Sequence, residues 1–213
     1  MKNLTGHAAA IGVGMTLATA LLFVAGWSYA GYWFRHFNLG LLPLGLPTEH
    51  YFMHGFRVLL DHGWWLLWAF AIILILWYSR PPAPPWVGWL VLPLIVMVFA
   101  LFYRLGETSA DRAFDRHRAA GFREYPMTRV WLTRMPDQVP YESPVLAGLA
   151  KELAAGEYRL LVESETSLFL IRPKPGGGMP TVEVPLRRVA AIRRIPVNPG
   201  IMKKSRRASR GKE

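Results

Sequence analysis

Four ionisable residues, His50, His54, Arg57 and Asp61, follow one another at spacings of four, three and four. We call them the polar stripe, because an α-helix with about 3.6 residues per turn places them on one face. Histidines four apart can bind one metal ion together, and ionisable side chains at membrane depth commonly relay protons or line an ion path. The neighbouring residues that could complete such a site are His36, Glu49 and His62.

A simpler interpretation places the polar stripe at the level of the lipid headgroups, where its side chains bind water, phosphate or each other. A metalloprotease motif would need a Glu directly after the first His, and Tyr51 follows His50. The spacing fixes no third ligand. We therefore predict no metal site and no cofactor, with His50 and His54 as the candidate ligands if a metal does bind.

Three apolar stretches, at about residues 8–34, 51–79 and 86–103, dominate the first half of the chain. A helix needs roughly 20 apolar residues to cross a bilayer. Only four of the 25 Lys and Arg residues precede the end of the third stretch at residue 103, and a chain of 213 residues is too short to bury three such helices in a soluble core. We therefore predict a multipass membrane protein with a three-span transmembrane domain over residues 1–105.

The first stretch has an alternative interpretation as a cleaved signal peptide. Lys2 supplies a positive start, and Ser28-Tyr29-Ala30 has small residues at the two positions that cleavage requires. The apolar run is longer than the usual core of about 7–15 residues and continues past the candidate site. We therefore expect a retained helix.

Basic residues near the ends of the spans indicate the orientation, because cytoplasmic loops are enriched in Lys and Arg. The first connection carries Arg35 and Arg57, and the opposite side carries Lys2 and Arg80. This distribution predicts a cytoplasmic C-terminal half in a bacterial inner (plasma) membrane, with the N-terminus outside although Lys2 favours the inside. The arginines that follow the third span are Arg104, Arg112, Arg116, Arg118 and Arg123.

Small residues recur along one face of the first apolar stretch. Such a face lets another helix backbone approach closely, either from the same chain or from a second copy. The sequence therefore predicts helix packing here, and leaves a homo-oligomer or a larger membrane complex open. The residues of this face are Ala10, Gly14, Ala18, Gly26 and Ala30.

Beyond the third stretch the chain becomes polar, which predicts a juxtamembrane helix over 106–124 and a small β-rich soluble domain over 125–201. Its strand pattern resembles a β-meander that closes into an SH3-like or Sm-like barrel. The fold class is therefore α+β, with three transmembrane helices followed by this domain. The domain has no cluster of His, Asp and Ser, and Gly26-Trp27-Ser28-Tyr29-Ala30 imitates a nucleophile elbow only inside an apolar helix. We predict no catalytic residue.

Residues 202–213 form a basic tail that is too polar to bury a core and should be disordered. Each basic residue held near an anionic bilayer gains about 1 kcal/mol. No aromatic residue is interleaved to stack bases, so we expect lipid headgroups as partners and no specific nucleic acid. The basic residues of the tail are Lys203, Lys204, Arg206, Arg207, Arg210 and Lys212.

Two classes of function are compatible with these features. One is a non-enzymatic membrane scaffold or sensor subunit, whose β-rich domain meets a cytosolic protein or ligand. The alternative is an oligomeric channel, transporter or pore-forming effector subunit, in which the polar stripe lines a path. We favour the scaffold or sensor, because the polar residues gather near one boundary of a span rather than along its length.

Overall fold

A computed structural model describes residues 2–41, 44–78, 87–133, 144–174 and 178–195 of the chain. They divide into a helical unit, which includes the chain up to His36 and Leu46–Ala113, and a sheet unit, which includes Phe37–Gly45 and the chain from Phe114 onward. The helices are α1 Lys2–Arg35, α2 Thr48–Tyr78, α3 Val87–Ala119 and α4 Pro144–Ala155. The strands are β1 Met127–Leu132, β2 Tyr158–Glu163, β3 Ser167–Ile171, β4 Thr181–Pro185 and β5 Val189–Ile195.

Two helices in the described part of the chain are long and apolar enough to cross a membrane. They are Gly12–Arg35 in α1, with mean hydropathy 1.5, and Trp89–Ala119 in α3, with mean hydropathy 2.0. The apolar side chains of α3 point outward, with Trp89 84% and Leu92 70% exposed. Exposed apolar surface on this scale is typical of a face that lipid or another protein covers.

Helix α3 extends well beyond the apolar stretch predicted from the sequence. Its 33 residues continue without a break to Ala119, which makes it about 50 Å long. Pro93 lies inside the helix. A proline removes one backbone donor there, a loss that a membrane helix tolerates when neighbouring groups satisfy the freed carbonyl.

Glycines bring α1 and α2 to backbone contact. A Cβ atom added at Gly26 of α1 would overlap the carbonyl oxygen of Tyr51 and lie 2.7 Å from the nitrogen of Gly55, both in α2. A Cβ added at Gly55 would in turn overlap the carbonyl oxygen of Leu22. Since neither backbone can move aside cheaply, any side chain at these two glycines must push the helices apart.

A third glycine brings α3 equally close to α1. A Cβ added at Gly106 would overlap the carbonyl oxygen of Ala25 and lie 2.9 Å from the Cβ of Ser28. Beside this contact the hydroxyl of Ser28 donates a hydrogen bond to the carbonyl oxygen of Tyr103 at 2.7 Å. The helical unit is therefore joined through backbone approach and one buried hydroxyl, as in packed membrane helices.

The sheet unit contains one five-stranded antiparallel sheet in the order β4-β3-β2-β1-β5. The inner strand β3, which pairs with β2 and β4, is buried at every position, as expected for the continuous apolar run Leu168–Ile171. Helix α4 covers the core and ends at Ala155, where Gly156 adopts the left-handed φ of +83° that commonly ends a helix. The buried core residues are Val130, Leu153, Tyr158, Leu168, Leu170 and Val184.

The segment between α1 and α2 also belongs to the sheet unit. Phe37 is buried, and its ring packs edge-to-face on Phe114 with centroids 5.6 Å apart. The hydroxyl of Thr181 in β4 donates a hydrogen bond to the carbonyl oxygen of Phe37 at 3.1 Å. Residues from three distant parts of the chain therefore meet in this unit.

The glycine contacts lead to a test in which one substitution has opposite effects at two sites. Gly26→Ala should lower the free energy of unfolding of the helical unit by about 1–3 kcal/mol, because the new methyl group meets backbone that cannot move aside. Gly63→Ala, in α2 with open space around it, should stabilise by up to about 1 kcal/mol through helix propensity. Thermal unfolding in detergent measures both. Equal shifts for the two variants would contradict the close packing at Gly26.

Candidate functional site

The polar stripe lies on the first turns of α2, and its two central residues contact one tyrosine of α1. The His54 ring stacks on Tyr29 with centroids 4.8 Å apart, and the guanidinium carbon of Arg57 is 5.6 Å from the same ring centroid. Tyr29 is buried, whereas His50 and Asp61 are exposed. Two residues of the polar stripe are thus engaged in contacts between helices.

Two other histidines, His36 before α2 and His62 directly after the polar stripe, contact α3. The Nδ1 atom of His62 lies 3.3 Å from the Ser109 hydroxyl, and its Nε2 atom lies 3.5 Å from a guanidinium nitrogen of Arg112. His36 contacts the Asp111 carboxylate at 2.9 Å. Among the described residues no group of three or more His, Cys, Asp or Glu side chains could hold a metal ion.

The small-residue face of α1 falls into two parts. Gly26 and Ala30 are buried where α1 meets α2. Gly14 has no atom within 4 Å of an added Cβ, and Ala18 is exposed, so this part of the face is open. The side chain of Ala10 and the basic tail from Lys203 to Lys212 lie outside the described residues.

A groove of about 730 Å³ in the sheet unit is lined by four basic residues and no acidic one. The end of α3 and the turn after it line one part of the groove, Arg159 of β2 lines another, and Pro173, Lys174 and Met179 line the rest. Phe122, Pro173 and Met179 add apolar surface. We call this cavity the basic groove. Its four basic residues are Arg118, Arg123, Arg159 and Lys174.

The turn after α3 contains two residues with a left-handed backbone. Gly121 has φ +61°, and Phe122 has φ +53°, a backbone conformation that residues other than glycine rarely adopt. The amide of Phe122 donates to the carbonyl oxygen of His117 at 2.8 Å, and the amide of Gly121 donates to that of Arg118 at 2.9 Å. These bonds satisfy carbonyls that the helix end would otherwise leave unpaired.

The Phe122 side chain holds this turn in place. Its buried ring lies 5.7 Å from the ring of Phe37 and 5.9 Å from that of Phe114. A left-handed backbone costs about 1–3 kcal/mol and persists only where the surroundings impose it. Here the aromatic packing imposes it, and so fixes the backbone positions of Arg118 before the turn and of Arg123 after it, whose exposed side chains line the groove.

Arg159 is the basic residue that the structure holds most firmly. It lies on β2, paired with Met127 of β1 and Ile171 of β3, and its Nη1 atom donates to the carbonyl oxygen of Tyr125 at 2.8 Å. Partial burial, followed by the charge of Arg123, lowers the pKa of Arg159. The guanidinium nevertheless stays charged at neutral pH, because its ordinary pKa is above about 12.

An ion cluster lies next in sequence to the groove residues Pro173 and Lys174. Arg172, next to the groove segment that contains Lys174, pairs with Glu157 and lies 2.9 Å from Glu152 of α4. The Tyr158 hydroxyl donates to the same Glu152 carboxylate at 3.0 Å. These two hydrogen bonds, the one from Tyr158 first, lower the pKa of Glu152.

No protein-family model, curated protein or solved structure matches this chain. An antiparallel sheet covered by one helix supports many unrelated functions. A function has to be argued from the charge of the basic groove and from the apolar surface of the helical unit.

The lowered pKa of Glu152 leads to a pH-dependent stability. A carboxyl whose pKa in the folded state lies below its ordinary 4.5 stabilises the fold above that pH, and this contribution is lost as the pH falls through the lowered pKa. Glu152→Gln should therefore make the acid unfolding of the sheet unit less dependent on pH below 4.5. Glu165→Gln removes the same charge from an exposed turn and should keep the wild-type profile.

Circular dichroism of the strand signal between neutral and acid pH measures this difference. Identical profiles for Glu152→Gln and the wild type would show that the ionised Glu152 carboxylate does not stabilise the sheet unit.

Proposed function

We propose that the protein is a non-enzymatic multipass membrane scaffold or sensor subunit, in which the helical unit is the anchor and the sheet unit binds a partner or ligand. The observation that carries this proposal is the contrast between the units. The helical unit packs through glycines and exposes large apolar side chains on α3, whereas the sheet unit has its own apolar core and a charged groove. Anchoring and recognition are thus assigned to different parts of the chain.

Helix α2 is the third membrane span in this proposal. Its 31 residues are about 46 Å long, more than the roughly 30 Å of a bilayer core. Trp64, Trp65 and Trp68 are exposed along it, as expected of an aromatic belt at a membrane interface. The polar stripe occupies its first turns, which supports a place near the headgroups.

The proposed partners are lipids, a second copy of the chain and a cytosolic protein. The open part of the α1 face, at Gly14 and Ala18, supports self-association, because small residues let a second helix approach closely. The arginines after the third span support a cytoplasmic sheet unit in a bacterial inner membrane. Closure of the sheet into an SH3-like barrel stays an expectation, since β4 and β5 lie at opposite edges in the described strand order.

The proposed orientation is tested with a reporter enzyme that is active only in the periplasm. Fusion to the C-terminus should give no activity, because the positively charged side of a span stays in the cytoplasm. Fusion within the connection 79–86 should give strong activity, and it serves as the matched control. Strong activity from the C-terminal fusion would overturn the cytoplasmic assignment. Mass measurement of the particle purified in detergent then reports copies and bound partners.

A channel or transport subunit is the second candidate, because the polar stripe could line a path. The contacts of His54 and Arg57 with Tyr29 favour the scaffold, since these side chains are engaged between two helices of one chain. The double variant His50→Ala/His54→Ala should lose about 1 kcal/mol of stability from the ring contact and otherwise insert and assemble as the wild type does.

Ion flux into liposomes separates the two candidates. We expect no flux above that of protein-free liposomes from either the wild type or the double histidine variant. Robust flux from the wild type that disappears in the variant would remove the scaffold proposal in favour of a channel.

A further inference from the structure

We infer that the basic groove is a binding site for a phosphate-bearing anion. This inference deepens the proposed function and rests on it, because it names the chemical class of ligand that the sheet unit of a membrane-anchored sensor would bind. The shared chemistry is a phosphate group, which a soluble phosphorylated compound or a lipid headgroup could supply.

The charge of the groove is the first argument. Within the described chain, the arginines at positions 104, 172 and 194 each pair with a glutamate, whereas Arg118, Arg123 and Arg159 form no ion pair with a carboxylate. No acidic side chain lines the groove. Like charges held together repel one another, and an anion between them relieves that repulsion. A cation would meet four positive charges and no ligand oxygen from a carboxylate.

The residue types are the second argument, because three of the four basic residues are arginines. A guanidinium presents five N–H donors in a planar fork that matches the oxygens of phosphate, and it cannot be neutralised at physiological pH. The bond from Arg159 to the carbonyl oxygen of Tyr125 uses one nitrogen and orients the side chain, which leaves other donors for a ligand. Lys174 adds a fourth positive charge to the lining of the groove, and this charge also helps to lower the pKa of Glu152.

The rigidity of the walls is the third argument. Arg118 and Arg123 flank a turn locked by the buried Phe122 ring, and Arg159 lies on a strand that is paired on both sides. A site formed in advance loses little conformational entropy when a ligand binds. The groove of about 730 Å³ is larger than one phosphate needs and falls within the range of small-molecule sites. The apolar surface of Met179 and Pro173 can contact the organic part of such a ligand.

Isothermal titration calorimetry, in which inorganic pyrophosphate is titrated into the full chain in detergent, tests the site directly. The double variant Arg118→Gln/Arg123→Gln should weaken binding about tenfold or more, because bonds between charged partners are among the strongest in proteins. Arg159→Gln should weaken it similarly, with folding checked by circular dichroism. The matched control is Arg187→Gln/Arg188→Gln, which removes two exposed charges from the turn between β4 and β5 and should change binding less than about twofold.

A second arm identifies the source of the phosphate. The full chain is placed in nanodiscs of phosphatidylcholine, with or without phosphatidic acid, and hydrogen exchange is measured at the backbone amides of 120–125. Protection by phosphatidic acid that the Arg118→Gln/Arg123→Gln variant loses identifies a lipid headgroup. Pyrophosphate binding without that protection identifies a soluble ligand.

Two outcomes overturn the inference. In one, neither pyrophosphate nor phosphatidic acid interacts with the wild type. In the other, the control variant loses as much binding as the groove variants, which would mean a response to net charge alone. Failure of the reporter test with binding intact would remove the cytoplasmic assignment and leave the anion site standing, so the two proposals fail separately.

Discussion

The packing of the buried Phe122 ring on its aromatic neighbours is the interaction on which the turn at the start of the sheet unit depends. The ring holds a backbone conformation that its own side chain disfavours, and it does so by packing between Phe37 and Phe114. The turn that this packing holds lies between the end of α3 and the start of β1, and the Phe122 ring also packs on Tyr125. Without the ring, the turn would lose the free energy that offsets its strain.

The sequence was sufficient for features that depend on local pattern. The sequence predicted helices followed by a β-rich part, and the described residues contain long helices followed by an antiparallel five-stranded sheet. Two of the three apolar stretches are helices long and apolar enough to cross a membrane. Each of these features follows from the spacing of apolar residues over a short stretch of chain, so a single sequence is enough to predict it.

The basic groove could not be predicted in the same way, because its residues come from three separate parts of the chain. Arg118 and Arg123 were informative in the sequence only as positive charges beside a span. Arg159 joins them only through the pairing of β2 with its neighbours, which a single sequence does not specify. The available signal was the Gly121-Phe122 pair after a long helix, where glycine permits a tight reversal. The partners of Gly26 in α2 and of Gly106 in α1 are equally nonlocal.

The segment Phe37–Gly45 gives the sheet unit a discontinuous construction. This unit contains one piece that precedes α2 and a second piece that begins at Phe114 in the last turns of α3. The Thr181 hydroxyl donates a hydrogen bond to the Phe37 carbonyl oxygen in the first piece. During synthesis Phe37 leaves the ribosome long before Thr181 of β4. The hydrogen bond between them can therefore form only after α2 and α3 have been synthesised. A fragment that begins at residue 114 would lack the Phe37 ring and would leave the aromatic pocket around Phe122 open on one side. The aromatic cluster around Phe122 is therefore complete only in a chain that also contains the connection between α1 and α2.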